Sequence, residues 1–462
     1  MSRTIAVFGG SFNPPGSHHR LVAERLAAQF DQVVVVPCGP RPDKPGTGDV
    51  PPTYRAAMVD LAFRGIPRLR VDLFDLEAST FTRTFELEQR FRDEGEPWHV
   101  IGTDLLQGGA DGRSVVHAEW AHGSTIWREL RFAVVERTGF AFAPGELPLH
   151  HRLLAGGIEG ASSQVRERLF HRQPITGLVP PDVGEYIERH GLYRGMRPAR
   201  RARLELGTVR PLVVAAPDDA EALRVAARWT PSDAEHANLV VAIGGDGTML
   251  HAIRRHWRLR LPFYGINTGH VGFLLNHAPP DDYLGEQLVL QQLPLLWVEI
   301  ERTDGTRRAE LAFNDAWVER ASGQTAWLRV TVDGRERLPR LVADGALIAT
   351  AAGSTCYARA MGAAPLPLDT PALMLVGSNV LRPAFFQPAV LPLESVVELR
   401  TLDPHKRPLR GCIDGVEQGE LSCMTARVSN IAAAELAFDP RFDASEKLAR
   451  LQFPAHTEPL AE

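Results

Sequence analysis

Two glycine-rich turns carry the residues whose types and spacing suit chemistry. Near the N-terminus a short apolar run leads into residues 9–15 (GGSFNPP), and His18 and His19 follow. Well over two hundred residues later, a second apolar run leads into residues 244–247 (GGDG), which carry one carboxylate, Asp246. Glycine lets the backbone approach a phosphate closely, and the amides that open the following helix bind anions. The pattern predicts two nucleotide-type sites of different chemistry.

The histidines and the carboxylate have different candidate roles. His18 and His19 lie near the positive end of the predicted helix, where an imidazole can donate to a phosphate as negative charge builds up. Asp246 can hold Mg²⁺ or accept a hydroxyl proton while the amides of its turn cradle phosphates. Simpler structural explanations stay open: a plain strand–helix connection at the first turn, and an N-terminal helix cap at Asp246.

Alternating apolar runs and helical patterns predict the elements that position these turns. Over residues 1–195 they predict a parallel α/β sheet, with strands at 5–8, 33–36, 71–74, 99–101 and 132–135. A second α/β block begins at Pro211–Ala215, and from Leu295 onward short strands joined by Gly, Asp and Pro turns predict a mostly antiparallel domain. The fold class is therefore α/β, with a β-rich part near the C-terminus.

The same patterns divide the chain into domains. We expect a first domain at 1–195, an α/β domain at 208–292 completed by 430–450, and a β-rich domain, a β-sandwich, at 293–429. Between residues 194 and 203 there are five arginines together with Gly and Pro, which favours a linker over 196–207. A basic strip that binds nucleotides is the alternative interpretation of this segment.

Composition narrows the class of protein. A chain of 462 residues is too long for one core, and 44% hydrophobic with 23% charged residues is typical of a globular enzyme. A net charge of -5 argues against broad binding to nucleic acid or acidic membranes. Four scattered cysteines form no CxxC pair, so we expect a reducing, cytoplasmic location and no zinc site. No apolar run approaches the ~18 residues of a membrane span.

The first turn opens an ordered series of motifs that resembles the nicotinate/nicotinamide mononucleotide adenylyltransferases. After residues 9–15 the series continues with Lys44, 54–58 (YRAAM), 79–84 (STFTRT), 101–104 (IGTD), Trp120, 132–137 (FAVVER), 161–166 (ASSQVR) and 179–187 (VPPDVGEYI). The resemblance covers about residues 1–195. It implies a Rossmann-like nucleotidyltransferase domain that transfers AMP from ATP to a pyridine mononucleotide, with Mg²⁺ on the phosphates.

The resemblance also implies roles for individual residues. His18 and His19 would be catalytic. The implied ATP-binding residues are Gly9, Gly10, Ser11, Phe12, Asp104, Ser162, Ser163 and Arg166. The implied mononucleotide-binding residues are Asn13, Lys44, Arg55, Thr82 and Trp120.

Four positions in this half depart from the family pattern. The family usually has His-x-x-His, whereas this chain has Gly16 at the first histidine and His18 where a glycine is usual. Gly160 and Ala161 also replace the usual Ile-Ser. Two interpretations stay open: His18 reaches the same phosphate from a shifted backbone, or the site has lost activity.

The second turn opens motifs that resemble the NAD kinases. These are 265–274 (GINTGHVGFL), 313–315 (FND), 344–350 (DGALIAT) and 353–357 (GSTCY). The resemblance covers about residues 208–440 and implies phosphorylation of the adenosine 2′-hydroxyl of NAD, with Asp246 as general base. The implied NAD-binding residues are Gly245, Asp246, Gly247, Asn314, Asp315, Thr355 and Tyr357. Cys356, Ala360 and Ala363 replace the usual Ala, Ser and Gly.

Together the two halves predict a cytoplasmic bifunctional enzyme of NAD and NADP biosynthesis. Its expected ligands are ATP with Mg²⁺, a pyridine mononucleotide and NAD or NADP, with no metal held by the protein itself, no nucleic acid and no membrane. A homodimer or tetramer is expected, because kinases of the second family commonly oligomerise. The alternative is an NAD kinase whose N-terminal domain is non-catalytic and serves as a nucleotide sensor or assembly module.

Overall fold

The chain forms two compact units, Met1–Ala199 and Arg200–Glu462. The computed structural model describes residues 3–42, 50–269, 272–277, 284, 287–441, 447–449 and 452. Within these ranges, no helix has the length and apolar character needed to cross a membrane.

The first unit is built around one parallel sheet. Its elements are β1 (Thr4–Gly10), α1 (Ser17–Gln29), β2 (Gln32–Pro37), α2 (Pro52–Phe63), β3 (Leu69–Val71), α3 (Phe74–Ala78), α4 (Thr84–Phe91), β4 (Glu96–Gly102), α5 (Val115–Glu119), α6 (Gly123–Glu129), β5 (Arg131–Arg137), β6 (His150–Ile158), α7 (Ser162–Phe170) and α8 (Pro181–His190). The strand order is β3-β2-β1-β4-β5-β6, and all neighbours are parallel. The predicted strand at 71–74 is displaced, because α3 already begins at Phe74.

Helices cover both faces of this sheet. Alternate residues of β1 point to opposite faces, so Ala6 belongs to one buried cluster and Ile5 to another. Leu26 of α1 packs in the first cluster and Phe91 of α4 in the second. In a doubly wound sheet of this strand order, ligands bind beyond the carboxyl ends of the strands where the order reverses, here between β1 and β4.

The second unit begins with a smaller parallel layer. Its elements are β7 (Arg201–Glu205), β8 (Pro211–Ala215), α9 (Ala220–Ala226), β9 (Leu239–Gly244), α10 (Asp246–His256) and β10 (Phe263–Asn267). Strands β8, β9 and β10 are parallel neighbours. Because β9 and β10 run in the same direction, the GGDG turn after β9 and the residues after β10 share one edge of the sheet.

Strand β7 corrects the prediction of a linker over 196–207. Residues 201–205 pair antiparallel with a strand of the β-rich part instead of spanning solvent. Ala202 and Leu204 pack against the buried cluster of the parallel layer, while the arginines between them point outward. The arginines therefore mark the solvent face of an edge strand.

The remaining elements form the β-rich part. They are β11 (Gln287–Glu301), β12 (Arg307–Ala312), β13 (Asp315–Arg320), β14 (Ala326–Val332), β15 (Arg335–Ala343), β16 (Gly345–Ala349), α11 (Tyr357–Ala360), β17 (Ala372–Ser378), β18 (Ala389–Pro392), β19 (Val397–Thr401), β20 (Leu409–Ile413), β21 (Val416–Leu421) and β22 (Cys423–Phe438). A six-stranded sheet has the order β18-β17-β16-β13-β20-β21. Its inner residues share one core with those of β11, β14, β19 and β22, so the predicted sandwich is confirmed.

Two long strands connect the sandwich to the parallel layer. One half of β22 pairs with β19 in the sandwich, and the other half pairs with β10. Strand β11 follows β22 along both halves, with a register shift between Pro294 and Leu296. The domain boundaries predicted at 292/293 and 429/430 therefore fall inside continuous strands.

Candidate functional site

The first candidate site lies where β1 and β4 end. Gly9 and Gly10 close β1, Gly102 closes β4, and Asp104 follows in a short 3-10 turn. A Cβ on Gly102 would lie 2.2 Å from an oxygen of Asp104, so only glycine permits this approach. The structure thus brings the first turn and Asp104 to the crevice that the strand order predicts.

Two residues predicted to bind the mononucleotide make hydrogen bonds that support the loop. Arg55 is 1% exposed, and its guanidinium donates to the backbone carbonyl of Cys38 at 2.8 Å and to that of Ser11. Asn13 is 2% exposed, and its side-chain oxygen accepts from the Tyr193 hydroxyl at 2.6 Å. These contacts anchor both side chains in the loop, and their binding of the mononucleotide stays a prediction from the sequence.

The residues of α7 join the same loop. The Ser162 hydroxyl donates to the Pro14 carbonyl at 2.8 Å, and the Arg166 guanidinium donates to the Asn13 carbonyl at 2.7 Å. Ser163 is exposed in the first turn of the helix. The predicted second ATP motif and the first turn are therefore one structural unit.

His18 and His19 lie in the first turn of α1 with their rings in contact, 3.9 Å between centroids and tilted by 38°. The Gly16 amide donates to Nδ1 of His19 at 3.0 Å, which leaves Nε2 as the N–H donor of a neutral ring. The Phe12 ring meets His19 edge-on at 5.0 Å. Burial, followed by the charge of Arg137, lowers the pKa of His18 to about 4, and burial also holds the pKa of His19 well below its ordinary value. Both imidazoles are therefore neutral donors at neutral pH.

The His18 ring fills space that two glycines leave open. A Cβ on Gly16 would lie 2.5 Å from Nδ1 of His18, and a Cβ on Gly160 would lie 2.5 Å from the same atom. Gly160 also has φ +135°, which side chains rarely adopt. The three departures at Gly16, His18 and Gly160 are therefore one coupled arrangement, in which the imidazole occupies the space beside position 16.

The other predicted residues of this site have mixed placements. Asp104 pairs with Arg137 at 3.1 Å, and that guanidinium also donates to the Gly160 carbonyl at 3.3 Å. Thr82 donates to the buried Asp75 carboxylate at 2.6 Å. Trp120 is half-buried at the end of α5. Lys44 lies outside the described residues.

The second candidate site is centred on Asp246, the first residue of α10. Its carboxylate oxygens accept from the backbone amides of Phe273 at 2.9 Å and Leu274 at 2.8 Å. Added Cβ atoms on Gly245 and Gly247 would meet open space, so the turn leaves room for a ligand at its amides. Asp246 thus holds the turn after β10 and still has lone pairs for a hydroxyl proton.

Asn314 and Asp315 are held by a third acidic residue, Asp414, in the turn between β20 and β21. The Asp414 carboxylate accepts from the amides of Asn314 at 2.8 Å, Asp315 at 3.2 Å and Phe313 at 2.8 Å. Burial, followed by the Asp414 charge, raises the pKa of Asp315 from 3.8 to about 7. Among the described residues, the buried Asn314 side-chain oxygen has no hydrogen-bond partner. An unpaired buried acceptor and a carboxylate of raised pKa are typical of a binding site.

The GSTCY segment completes this site. A Cβ on Gly353 would lie 2.2 Å from the Asn314 carbonyl, so glycine is required for the two segments to meet. The amide nitrogen of the Asn314 side chain lies 3.5 Å from Cys356 Sγ. Desolvation, followed by the charges of Asp315, Asp246 and Asp414, raises the pKa of Cys356 to about 11, although its side chain reaches the surface. The thiol is therefore protonated at neutral pH, and the three carboxylates surround it.

Two further predicted residues line the same region. Tyr357 is 40% exposed and packs edge-on against Trp317 at 5.2 Å, so its ring offers an open aromatic face. Thr355 donates to the Ala352 carbonyl at 3.2 Å and keeps its oxygen as an acceptor. The structure therefore brings together the predicted NAD-binding residues of the second half.

The raised pKa of Asp315 predicts how the stability of the folded chain changes with pH. An acid with a raised pKa in the folded state contributes stability that is lost as pH rises through the folded-state value, here about 7. Asp315→Asn keeps the shape of the protonated acid and cannot ionise. We expect its melting temperature to match that of the wild type near pH 4, to exceed it increasingly up to about pH 7, and to keep a constant advantage at pH 8. Equal melting temperatures across this range would contradict the burial argument.

The described residues contain no group of three or more His, Cys, Asp or Glu side chains arranged to hold a metal ion. The two families that the sequence motifs resemble generally use a divalent metal together with ATP. Asp246 and Asp315 supply the hard oxygen donors that suit such an ion, which is commonly held by one or two carboxylates, substrate phosphates and water. The predicted absence of a dedicated protein metal site is compatible with this arrangement.

Sequence reasoning missed Asp414, Arg137 and Lys447. Asp414 belongs to an Asp-Gly pair that predicts only a hairpin turn. Arg137 ends a motif that was recognised without a role for its guanidinium. Lys447 donates to the carbonyls of Gly272 and Leu275, beside the amides that hold Asp246. No local pattern indicates the contacts of Arg137 and Lys447, because each of them joins segments that are far apart in sequence.

Both units present glycine turns, helix N-termini and carboxylates at the carboxyl edge of a parallel layer, an arrangement typical of nucleotide-binding proteins. Residues 208–286 match the family described as ATP-NAD kinase N-terminal domain, and residues 7–168 match the cytidylyltransferase-like family. The NAD kinase of Zymomonas mobilis is 34% identical over 238 residues, which are 51% of this chain and 92% of that protein. The NAD kinase of Rhizorhabdus wittichii is 37% identical over 248 residues, which are 52% of this chain and 94% of that protein.

The chain belongs to the NAD kinase family. It also carries a cytidylyltransferase-like domain, so the predicted fusion of a nucleotidyltransferase with a kinase is confirmed. Among solved structures, yeast NADH kinase complexed with NADH matches with a TM-score of 0.44 and 15% identity, covering 79% of this chain and 90% of that one. An NAD kinase from Archaeoglobus fulgidus in complex with ATP matches with a TM-score of 0.40 and 23% identity, covering 53% of this chain and 97% of that one.

Proposed function

We propose that the chain transfers AMP from ATP to nicotinate or nicotinamide mononucleotide in its first unit and phosphorylates NAD at the adenosine 2′-hydroxyl in its second. The observation that carries the proposal is the convergence of the GGDG, Asn-Asp and GSTCY segments around Asp246. The separate crevice between β1 and β4 is the proposed site of adenylyl transfer.

In the kinase reaction the chain's main task is to place and activate one hydroxyl. Asp246 accepts the proton of the NAD hydroxyl, while the amides of its turn hold the phosphates of the donor. Asn314 and Asp315 bind the hydroxyls of NAD, for which the Asn314 oxygen, unpaired among the described residues, is a ready acceptor. Tyr357 and Thr355 line the dinucleotide site.

In the adenylyl transfer the chain positions two substrates and stabilises charge. No covalent intermediate is needed, so in-line placement and donors aimed at the phosphates carry the catalysis. His19 and His18 donate to the phosphates from the first turn of α1. Support for an active site, as opposed to a degenerate sensor, comes from the His18 ring, which fills the space beside Gly16.

Magnesium is the divalent ion we propose for both reactions. Bound to ATP, it neutralises phosphate charge and orients the transferred group. In the kinase unit Asp246 and Asp315 are the carboxylates that can contact it. A cytoplasmic location, a homodimeric or tetrameric state and the absence of nucleic-acid and membrane partners remain predictions from the sequence.

A product assay on the purified chain tests both activities. Nicotinate mononucleotide, nicotinamide mononucleotide and NAD are supplied separately with Mg-ATP, and products are separated by chromatography. We expect NADP from NAD, and a dinucleotide from at least one mononucleotide. NADP formed from nicotinamide mononucleotide alone would show that the two reactions run in sequence.

Two results would change the assignment. NADP from NAD without a dinucleotide from either mononucleotide would leave a kinase with a regulatory or structural first unit. Absence of NADP would overturn the kinase assignment itself.

A further inference from the structure

Lysine is rare in this chain. Only three lysines, Lys44, Lys406 and Lys447, occur among its 51 lysine and arginine residues. Arginine presents a broad planar fork, whereas lysine offers a compact point charge with three donors. The two side chains are therefore not interchangeable where the charge has to fit a confined space.

Lys447 binds the turn that holds Asp246. Its ammonium donates to the Gly272 carbonyl at 2.9 Å and to the Leu275 carbonyl. Between these two residues lie the amides of Phe273 and Leu274, which donate to the Asp246 carboxylate. The turn is thus held on its carbonyl side by a cation and on its amide side by an anion.

The turn is rigid within itself, so it moves as one piece. Gly272 has φ +55°, and a Cβ there would lie 2.3 Å from the Asn267 side chain. Leu275 is fully buried and its amide closes the turn onto the Gly272 carbonyl at 3.2 Å. A shift of the turn therefore moves the two amides, and with them the Asp246 carboxylate.

Lys447 is electrostatically unusual in a way that agrees with this geometry. Desolvation lowers its pKa to about 8, while the nearby Asp246 charge acts in the opposite direction. A partly desolvated ammonium near a carboxylate interacts more strongly than a solvated surface pair. Charge-assisted bonds to the two carbonyls are accordingly stronger than neutral ones.

We propose that Lys447 is a positioning residue of the kinase site, which fixes the 272–275 turn so that its amides hold Asp246 against the NAD hydroxyl. The proposal rests on the proposed kinase function of the second unit. Lys447 acts through the turn and needs no contact with substrate.

The test compares Lys447→Met with Lys406→Met in the full chain. Lys406 is exposed in the loop before β20, so its replacement removes a lysine without touching the turn. For Lys447→Met we expect kcat for NADP formation to fall about tenfold, since two charged hydrogen bonds are lost, with KM for NAD nearly unchanged. Lys406→Met should match the wild type, and adenylyl transfer should be unchanged in both variants.

Two further measurements separate positioning from general stability. Hydrogen exchange at the amides of Phe273 and Leu274 should become faster in Lys447→Met, while exchange in the sandwich strands stays unchanged. Lys447→Arg should not restore kcat, because a planar guanidinium does not reproduce the compact contact.

The outcomes distinguish this inference from the function on which it rests. A wild-type chain that makes no NADP overturns the proposed function. A wild type that makes NADP, with unchanged kcat in Lys447→Met, overturns the positioning role. A loss of kcat that is absent in Lys447→Arg also overturns the positioning role. The same holds for a loss of kcat that is accompanied by faster hydrogen exchange throughout the second unit.

Discussion

Replacing Asp246 with asparagine is expected to lower kcat for NADP formation about 1000-fold, the scale of a lost general base. The asparagine amide cannot accept the proton of the NAD hydroxyl. It can accept from only one of the two amides, Phe273 and Leu274, that the carboxylate now binds. The rate is measured at saturating NAD and Mg-ATP. Adenylyl transfer by the same preparation should be unchanged and reports that the first unit is intact. An unchanged melting transition of the second unit reports that the kinase unit has folded.

Asp219→Asn provides a matched control for this variant. Asp219 also opens a helix of the same layer, where its carboxylate accepts from the amides of Glu221 at 3.0 Å and Ala222 at 3.1 Å. Its replacement weakens the bonds of a carboxylate that holds two helix amides and the Thr268 hydroxyl, and it leaves Asp246 in place. We therefore expect only a few-fold change in kcat, in keeping with the cost of a weakened cap. Equal losses in the two variants would assign Asp246 to structure and not to proton transfer.

Replacing His18 with alanine is expected to lower dinucleotide formation about 100-fold, the scale of losing one donor to developing charge. The ring contacts His19 and fills the space beside Gly16 and Gly160, so its removal takes away both a donor and a support. NADP formation from NAD by the same chain is the internal control. An unchanged rate of dinucleotide formation would show that His18 only fills space.

A second variant tests whether Gly16 and His18 act as one unit. Gly16→Ala places a methyl group 2.5 Å from His18 Nδ1 and should displace the ring, whereas Gly184→Ala in α8 makes an ordinary 3.6 Å contact with Val179. We expect a large loss for the first and none for the second. In the His18→Ala background, Gly16→Ala should add little, since the ring it displaces is already gone. Additive losses would mean that the two positions act independently.

Asp246 shows how far sequence patterns lead at the kinase site. The strand, the glycine turn and the carboxylate are contiguous, so local rules predict them correctly. The partners of the carboxylate are the amides of Phe273 and Leu274, which the chain brings back after another helix and strand. Such contacts depend on tertiary packing and leave no periodic signal.

The segment 201–205 has the residue alternation of a strand, which its arginine-rich composition makes hard to recognise. Arg201, Arg203 and Glu205 alternate with Ala202 and Leu204, which is the period of a half-buried strand. Arginine density together with nearby Gly and Pro favoured a linker. The edge position of β7 explains the arginines, since one face of an edge strand meets solvent.

Arg55 illustrates the opposite limit, where the sequence identifies a motif but not the contacts of its side chain. A resemblance transfers a residue's identity, whereas its burial depends on packing. The guanidinium lies beneath the loop and donates to two carbonyls, a placement that a sequence of isolated motifs does not encode.

The strands β11 and β22, which run through both the parallel layer and the sandwich, also govern how the second unit comes apart. Neither layer can lose its strands without breaking hydrogen bonds in the other. Heat or denaturant should therefore melt both layers in a single cooperative transition. A fragment cut at 292/293 and 429/430 would carry severed strands with open edges, which promote aggregation. The GGDG turn and the Asn-Asp pair are thus parts of one folding unit, and the kinase site exists only when that whole unit is intact.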